Sequence, residues 1–255
     1  MARKAIVGVI GGNGVPTATE QAAERAGRAI ARAGVILLTG GQPIRVSEVK
    51  CAAMRGAMAT ESDEGGTARL IGVCPSGELV VPLKTASKWL MDTGLSSAER
   101  NPINGMTPDV LLMFEGGPGT LSELVFAFAA KKPVIYVGSI TALDEAMQDE
   151  NAVRAKVGKA TTKFRGAFEP SVLNRAHDAA NNLQVLYDHF CNQMSEPPLA
   201  EGWPKDARND AWANDLVSSA LKAVPARILE LRADFPGIPQ GLSKKTFDDW
   251  LFAMP

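Results

Sequence analysis

The run Glu115-Gly116-Gly117-Pro118-Gly119-Thr120-Leu121-Ser122-Glu123 holds the residues best suited to chemistry in this sequence. It follows the apolar stretch Val110-Leu111-Leu112-Met113-Phe114 and precedes a helix-forming stretch, Leu124 to Lys131. A strand, a glycine turn and a helix start in that order make a seat for phosphate. Backbone N–H groups at a helix entrance lack intrahelical partners, and the helix dipole adds positive potential there. Gly116, Gly117 and Gly119 let the backbone approach an anion with no Cβ in the way, and Thr120 adds a hydroxyl. Glu123, one turn in, places a carboxylate to face whatever the phosphate anchors. The pattern GGxGTxxE arises by accident on the order of a few times in ten thousand chains of this length. A plainer reading makes Thr120-x-x-Glu123 a capping box that satisfies helix N–H groups. That reading leaves three glycines unexplained.

The elements around this turn alternate in type. Lys4–Ile10 reads as a strand, Ala18–Ala33 as a helix, Val35–Thr39 as a strand, and about Val46 to Thr60 as a helix. Leu70–Cys74, Val110–Phe114 and Pro133–Val137 read as three further strands. Continuous Val/Ile/Leu runs separated by helices indicate parallel strands covered on both faces. Right-handed crossovers then give an α/β, Rossmann-like, doubly wound sheet, with the five strands ordered 3-2-1-4-5. Strands 1 and 4 become neighbours where the winding reverses, so their C-terminal loops should flank the ligand crevice. Those loops are Gly11-Gly12-Asn13-Gly14 and Gly116-Gly117-Pro118-Gly119, with Thr39-Gly40-Gly41 beside them. The dinucleotide fingerprint is absent: a G-x-G-x-x-G from Gly12 would need glycine at Thr17, which disfavours NAD.

Residues 1–140 are thus expected to form the nucleotide-binding domain, with residues 141–255 a helical C-terminal extension packing on it. In the latter, Ser171–Met194 is amphipathic, and helices are expected at about Asp210–Ala223, Pro225–Ala233 and Ser243–Phe252. Trp203, Trp212 and Trp250 read as anchors of this extension rather than a binding surface.

Composition removes several classes of function. The 255 residues carry a net charge of −1, so no electrostatic footprint for nucleic acid or an anionic membrane is present. No apolar stretch approaches membrane-spanning length, and the apolar run after Met1-Ala2-Arg3-Lys4 is too short for a signal core. Cys51, Cys74 and Cys191 read as reduced, buried thiols of a cytoplasmic protein. With only His177 and His189 and no Cys-x-x-Cys, no metal site is expected.

The GGxGTxxE turn, the Thr39-Gly40-Gly41 turn, and Arg100 ahead of Gly116 together resemble the Lonely-guy group of the lysine-decarboxylase-like superfamily. Its cytokinin riboside 5′-monophosphate phosphoribohydrolases release a free base and ribose 5-phosphate. Arg100-Asn101 followed by Asn104 looks closer still to the branch of molybdenum-cofactor carrier proteins, which hold a phosphorylated pterin on the same fold. The resemblance covers residues 4–137. It implies Arg100 and Glu123 as a catalytic pair. It also implies ligand contacts at Gly11, Gly12, Asn13, Thr39, Gly40, Gly41, Asn101, Asn104, Gly116, Gly117, Gly119 and Thr120. It further implies a small phosphorylated ligand, no required cofactor for hydrolysis, a bound nucleotide or molybdenum cofactor as the cargo of a carrier, and a homodimer. Leu124, Phe126 and Phe128 are too many apolar residues for one buried stripe, so their helix is expected to serve both core and partner.

The chain departs from the family pattern at three places. Glu115 replaces a proline and is expected to bring negative charge near the phosphate. Gln42-Pro43-Ile44-Arg45 replaces a glycine-rich continuation, and Asn101 stands where hydrolytic members have lysine. In a hydrolase, Glu123 would stabilise the cation developing at the ribose anomeric carbon, and Arg100 would keep that carboxylate ionised.

Overall fold

The computed structural model describes residues 4–41, 48–77, 83–193 and 210–224. The elements, in order, are β1 (Ile6–Ile10), α1 (Thr17–Arg32), β2 (Ile36–Thr39), α2 (Val49–Glu64), β3 (Arg69–Cys74), β4 (Leu83–Lys84) and β5 (Lys88–Asp92). They continue as α3 (Asn101–Met106), β6 (Val110–Phe114), α4 (Pro118–Ala129), β7 (Val134–Val137), α5 (Ile140–Met147) and α6 (Glu150–Lys163). Then come α7 (Pro170–Asn181), α8 (Leu183–Gln193) and α9 (Ala211–Ala223). The sheet runs β4-β5-β3-β2-β1-β6-β7, parallel throughout except for the antiparallel edge strand β4. The expected 3-2-1-4-5 order is therefore present, extended by an unforeseen edge. Lys88–Asp92 buries only every second residue, Trp89 and Met91, as an outer strand does, so it carries no continuous apolar run to announce it.

Strand alternation divides the core. Val7, Val9, Leu37, Leu70, Val110 and Leu112 face α1, α2 and α9. Ile10, Leu111 and Met113 face α4 to α8, while Ile36, Leu38 and Ile71 join Trp89, Ile103 and Phe164. Because both faces are covered, the strands are apolar at nearly every position. On the first face, α1 and α2 cross at glycines: a Cβ on Gly27 would lie 1.9 Å from the Ala53 carbonyl oxygen, and one on Gly56 1.8 Å from that of Glu24. This crossing sets the position of both helix starts, and with them the loops after β1 and β2.

The C-terminal segment differs in two respects from the sequence reading. The amphipathic run from Ser171 is two helices, not one: Asn182, with φ −136°, leaves helical geometry, and α8 restarts at Leu183. The apolar spacing still serves both, with Ala176, Ala180, Leu183 and Leu186 buried. The face of α4 expected to serve a partner is covered within the chain by α6 and α7, which bury Leu124 and Phe126 completely and Phe128 partly. Arg175 of α7 also donates to the last carbonyl of that helix, Ala129 O, at 2.8 Å. Helix α9 docks on α1 through a buried, bidentate Arg25–Asp210 pair, and Trp212 stacks 5.0 Å from the Arg25 guanidinium, consistent with an anchoring role. Trp203, Trp250 and the helices expected at Pro225–Ala233 and Ser243–Phe252 lie outside the described residues. No helix among the described residues is long and apolar enough to cross a membrane.

The Gly27 contact gives a direct test. Gly27→Ala should destabilise the protein by about 1–3 kcal/mol through overpacking against α2. Gly158→Ala, at a helical site with open space around it, should stabilise by about 0.5–1 kcal/mol. Urea unfolding midpoints of the two variants should move in opposite directions.

Candidate functional site

The C-terminal ends of β1, β2 and β6 surround a pocket of about 400 Å³, lined from five directions. Gly11, Gly12 and Asn13 come from the β1 loop, Gly40 and Lys50 from the β2 end and α2, and Ser97, Arg100 and Asn101 from the segment entering α3. Gly117, Pro118, Gly119, Thr120 and Glu123 come from the start of α4, and Lys156 from α6.

The loops that follow β1 and β6 touch. Gly12 N donates to Glu115 O at 2.8 Å, and a Cβ on Gly116 would lie 2.7 Å from Gly12 N and 2.3 Å from Thr120 Oγ1. Gly116 is thus required by loop-to-loop packing and does not itself line the pocket. Gly117 and Gly119 differ: no atom lies within 4 Å of where a Cβ would stand, and both line the pocket. Packing explains the first glycine of the motif and leaves the other two to the open space above α4. Helix α4 begins at Pro118 with Gly117 as N-cap and no side-chain cap, so the capping-box reading of Thr120 and Glu123 is overturned. The cap falls three residues earlier, and Thr120 and Glu123 turn into the pocket instead.

Glu123 is held by α3. Pro102 occupies the first turn of that helix, where its missing N–H costs nothing, and this places Arg100 and Asn104 one turn apart. Asn104 Nδ2 donates to Glu123 Oε1 at 2.6 Å, while Arg100 Nη1 stands 3.9 Å from the same oxygen. Burial pushes the Glu123 carboxyl above its ordinary value of 4.5, against the opposing pull of Arg100, the Asn104 hydrogen bond, Lys50 and Lys156. Arg100 is 5% exposed, and its Nε and Nη1 have no hydrogen-bond partner among the described residues. Gly40 makes room for it: a Cβ there would lie 2.7 Å from Arg100 Nη1. Buried guanidinium donors aimed at a pocket without an acceptor are costly unless a ligand supplies one.

Several expected contacts serve the scaffold. Thr39 Oγ1 accepts from Gly41 N at 3.0 Å, and Gly41, at φ +65°, packs on Gly72; neither residue lines the pocket. Asn104 acts through Glu123 and is fully buried. The Asn101 amide lines the pocket but donates to Ser122 Oγ. Glu115 does not bring its charge to the phosphate seat. Its carboxylate turns away, accepting from Thr19 Oγ1 at 2.9 Å and Ser139 N at 3.3 Å. Gln42-Pro43-Ile44-Arg45 lies outside the described residues. Lys50, Ser97 and Lys156 line the pocket without having been singled out in the sequence. Lys50 had one usable signal, its place in the first turn of the helix after a glycine turn. Its ammonium lies 3.8 Å from Glu48, and burial and then Arg100 hold it below the usual lysine range. Among the described residues no cluster of His, Cys, Asp and Glu suits a metal ion.

The model of the SLOG cluster4 family matches residues 4–164, which span the sheet, the pocket and α6. The chain belongs to the SLOG cluster4 family. The Lonely-guy-type resemblance read from the glycine turn is thereby borne out. No curated protein matches the sequence. Among solved structures, the molybdenum cofactor binding protein of the phototrophic bacterium Rippkaea orientalis is 34% identical over 56% of this chain and 82% of its own, with a TM-score of 0.46. The Moco carrier protein of Chlamydomonas reinhardtii is 32% identical over 63% of this chain and 99% of its own, with a TM-score of 0.45. In this SLOG chain the family match extends past the sheet to Phe164, so Lys156 falls within it.

The raised Glu123 pKa has a consequence for stability. Between the ordinary value and the higher folded one, the native state binds more protons than the unfolded state, so stability falls as pH rises through that window. Glu123→Gln removes the slope. The variant should be more stable than wild type at about pH 8 and lose that advantage as pH falls towards the ordinary 4.5. Thermal unfolding across this range reads the difference, and a less stable variant at high pH would overturn the burial argument.

Proposed function

We propose that this protein binds a small phosphorylated ligand at the start of α4 and hydrolyses the N-glycosidic bond of a nucleoside 5′-monophosphate, giving a free base and ribose 5-phosphate. Glu123 carries the reading. It lines the pocket beyond the glycine cradle, with Oε1 held by Asn104 and no hydrogen bond to Oε2 among the described residues. With the 5′-phosphate on the N–H groups at Gly117–Thr120, the ionised carboxylate faces the ribose and stabilises positive charge at its anomeric carbon. Water oxygen adds to that carbon, the electron pair of the carbon–nitrogen bond leaves with the base, and a proton from the water ends on the base. The unpartnered Arg100 donors are available to acceptor atoms of the departing base.

One observation favours a second reading, a carrier without turnover. Asn101 puts a neutral amide, tied to Ser122, where the resemblance expects lysine in hydrolytic members. The cargo would be a nucleotide or a phosphorylated pterin such as the molybdenum cofactor. The open cradle at Gly117 and Gly119 and the Arg100 donors suit the phosphate end of either. We further propose a cytoplasmic protein, in keeping with Cys51 and Cys74 as buried thiols outside any disulfide. A homodimer would have to form away from the covered face of α4, and sedimentation at micromolar concentration reads it.

A panel of nucleoside 5′-monophosphates, assayed for released ribose 5-phosphate, tests the enzyme. Glu123→Gln should lower kcat by about 10²-fold or more with little change in KM, because the charge acts mainly in the transition state. Equal rates for both proteins would remove Glu123 from the mechanism. No release from any nucleotide, with one ligand bound tightly, would leave the carrier.

The phosphate seat has its own test. Gly119→Ala should fold with a Tm no lower than that of wild type, since nothing crowds its Cβ, yet bind ribose 5-phosphate about tenfold more weakly. Unchanged affinity would move the phosphate elsewhere.

A further inference from the structure

Lys156 differs from the other cations of the pocket. Lys50 and Arg100 each stand within 4 Å of a carboxylate of their own chain, at 3.8 Å from Glu48 and 3.9 Å from Glu123. Lys156 is half-buried, lines the same pocket, and has no hydrogen bond or ion pair among the described residues. The next lysines along its helix, Lys159 and Lys163, do have a nearby acid. They lie around Glu99, whose carboxyl is held below its usual range by hydrogen bonds from Ser96 and then by these two lysines. Glu99 does not line the pocket that Lys156 lines.

The cations also occupy different walls. Lys50 and Arg100 crowd Gly40 at the end of β2: a Cβ there would lie 3.1 Å from Lys50 Cδ and 2.7 Å from Arg100 Nη1. Lys156 arrives on α6, which packs against α4 and brings the ammonium into the field of Glu123. A volume of about 400 Å³ accommodates a nucleotide-sized ligand between these walls. A phosphate on the α4 turn draws on backbone N–H groups, and the Lys156 charge is left for a second group on the ligand.

We propose that Lys156 is a specificity-determining residue that takes an anionic group of the ligand other than the phosphate held by the α4 turn, so that the pocket prefers ligands with two anionic groups. The proposal rests on the reading that the phosphate sits on the Gly117–Thr120 turn. On a nucleotide, the second group is a carboxylate or comparable anion carried by the base. A charge-assisted hydrogen bond in a half-buried cleft makes that group count for about tenfold or more in affinity.

Matched probes test it by calorimetric titration of the full chain: UMP against orotidine 5′-monophosphate, and AMP against adenylosuccinate, with ribose 5-phosphate as the common reference. Each pair differs by carboxylate groups on the base. Wild type should bind the carboxylated member of at least one pair about tenfold more tightly. Lys156→Met should erase that preference, Lys156→Arg should keep most of it, and ribose 5-phosphate should bind all three proteins alike. If ribose 5-phosphate binds and neither carboxylated nucleotide gains affinity, the proposal falls while the phosphate seat stands. If Lys156→Met weakens every ligand equally, ribose 5-phosphate included, the lysine contributes only a general field and the proposal also falls. If ribose 5-phosphate does not bind at all, the phosphate seat fails, and the proposal fails with it.

Discussion

The contact between the loops that leave β1 and β6 is the constraint on which the site depends. Gly12 and Gly116 approach so closely that a Cβ on Gly12 would stand 2.9 Å from the Gly116 Cα, and Gly12 N closes the junction on Glu115 O. Such contact requires β1 and β6 to be parallel neighbours, which happens only where the winding of the sheet reverses. Once the loops are joined, the start of α4 cannot shift relative to the β1 loop. Thr120, wedged against Gly116, fixes the rotation of the helix, and that rotation turns Glu123 into the pocket. Glu115 completes the junction: its backbone carbonyl holds Gly12 while its carboxylate ties α1 to the segment before α5 through Thr19 and Ser139.

The electrostatics follow from that placement. A carboxylate at 7% exposure loses hydration, and the protein returns only part of it, through one amide and a guanidinium at 3.9 Å. Arg100 is likewise buried with donors unsatisfied. Both groups would gain from a ligand that brings acceptors to the arginine and positive charge to the carboxylate. The pocket side chains thus carry polar strain while the surrounding sheet is packed without it, a distribution expected where a binding site is kept at some cost in stability.

The sheet order and the three glycine turns were legible because two-sided burial writes β1, β2, β3, β6 and β7 as unbroken apolar runs. Lys88–Asp92 was not, since an outer strand buries one face and mixes lysine and aspartate into the run. The split at Asn182 escaped for a related reason: both helices present their apolar residues to one surface, so the spacing alone cannot register a change of axis. At the site, Arg100 and Glu123 were found by motif and distance along the chain, whereas Lys50 and Lys156 look like any solvated lysine on a helix. Only the tertiary arrangement, α2 beside β2 and α6 across α4, turns them inward. The capping-box reading failed because local sequence cannot say which of several residues begins the helix; Pro118, suited to a first turn, moved the start forward. Glu115 was misjudged because its side chain has partners 96 and 24 residues away.

The buried Arg25–Asp210 pair joins residues 185 positions apart, and this bears on how the chain is made. A ribosome adding about 5–20 residues per second exposes α1 long before residue 210 emerges, a delay on the order of ten seconds or more. Throughout that interval the face of α1 destined for α9 must stay open to water, with Arg25 hydrated. The sheet can assemble meanwhile, since β1 to β7 are complete by residue 137. Docking of α9 is therefore a late step that removes a charge from water only once its counter-ion has arrived. During synthesis the exposed Ala-rich flank of α1 is a surface that chaperones could engage.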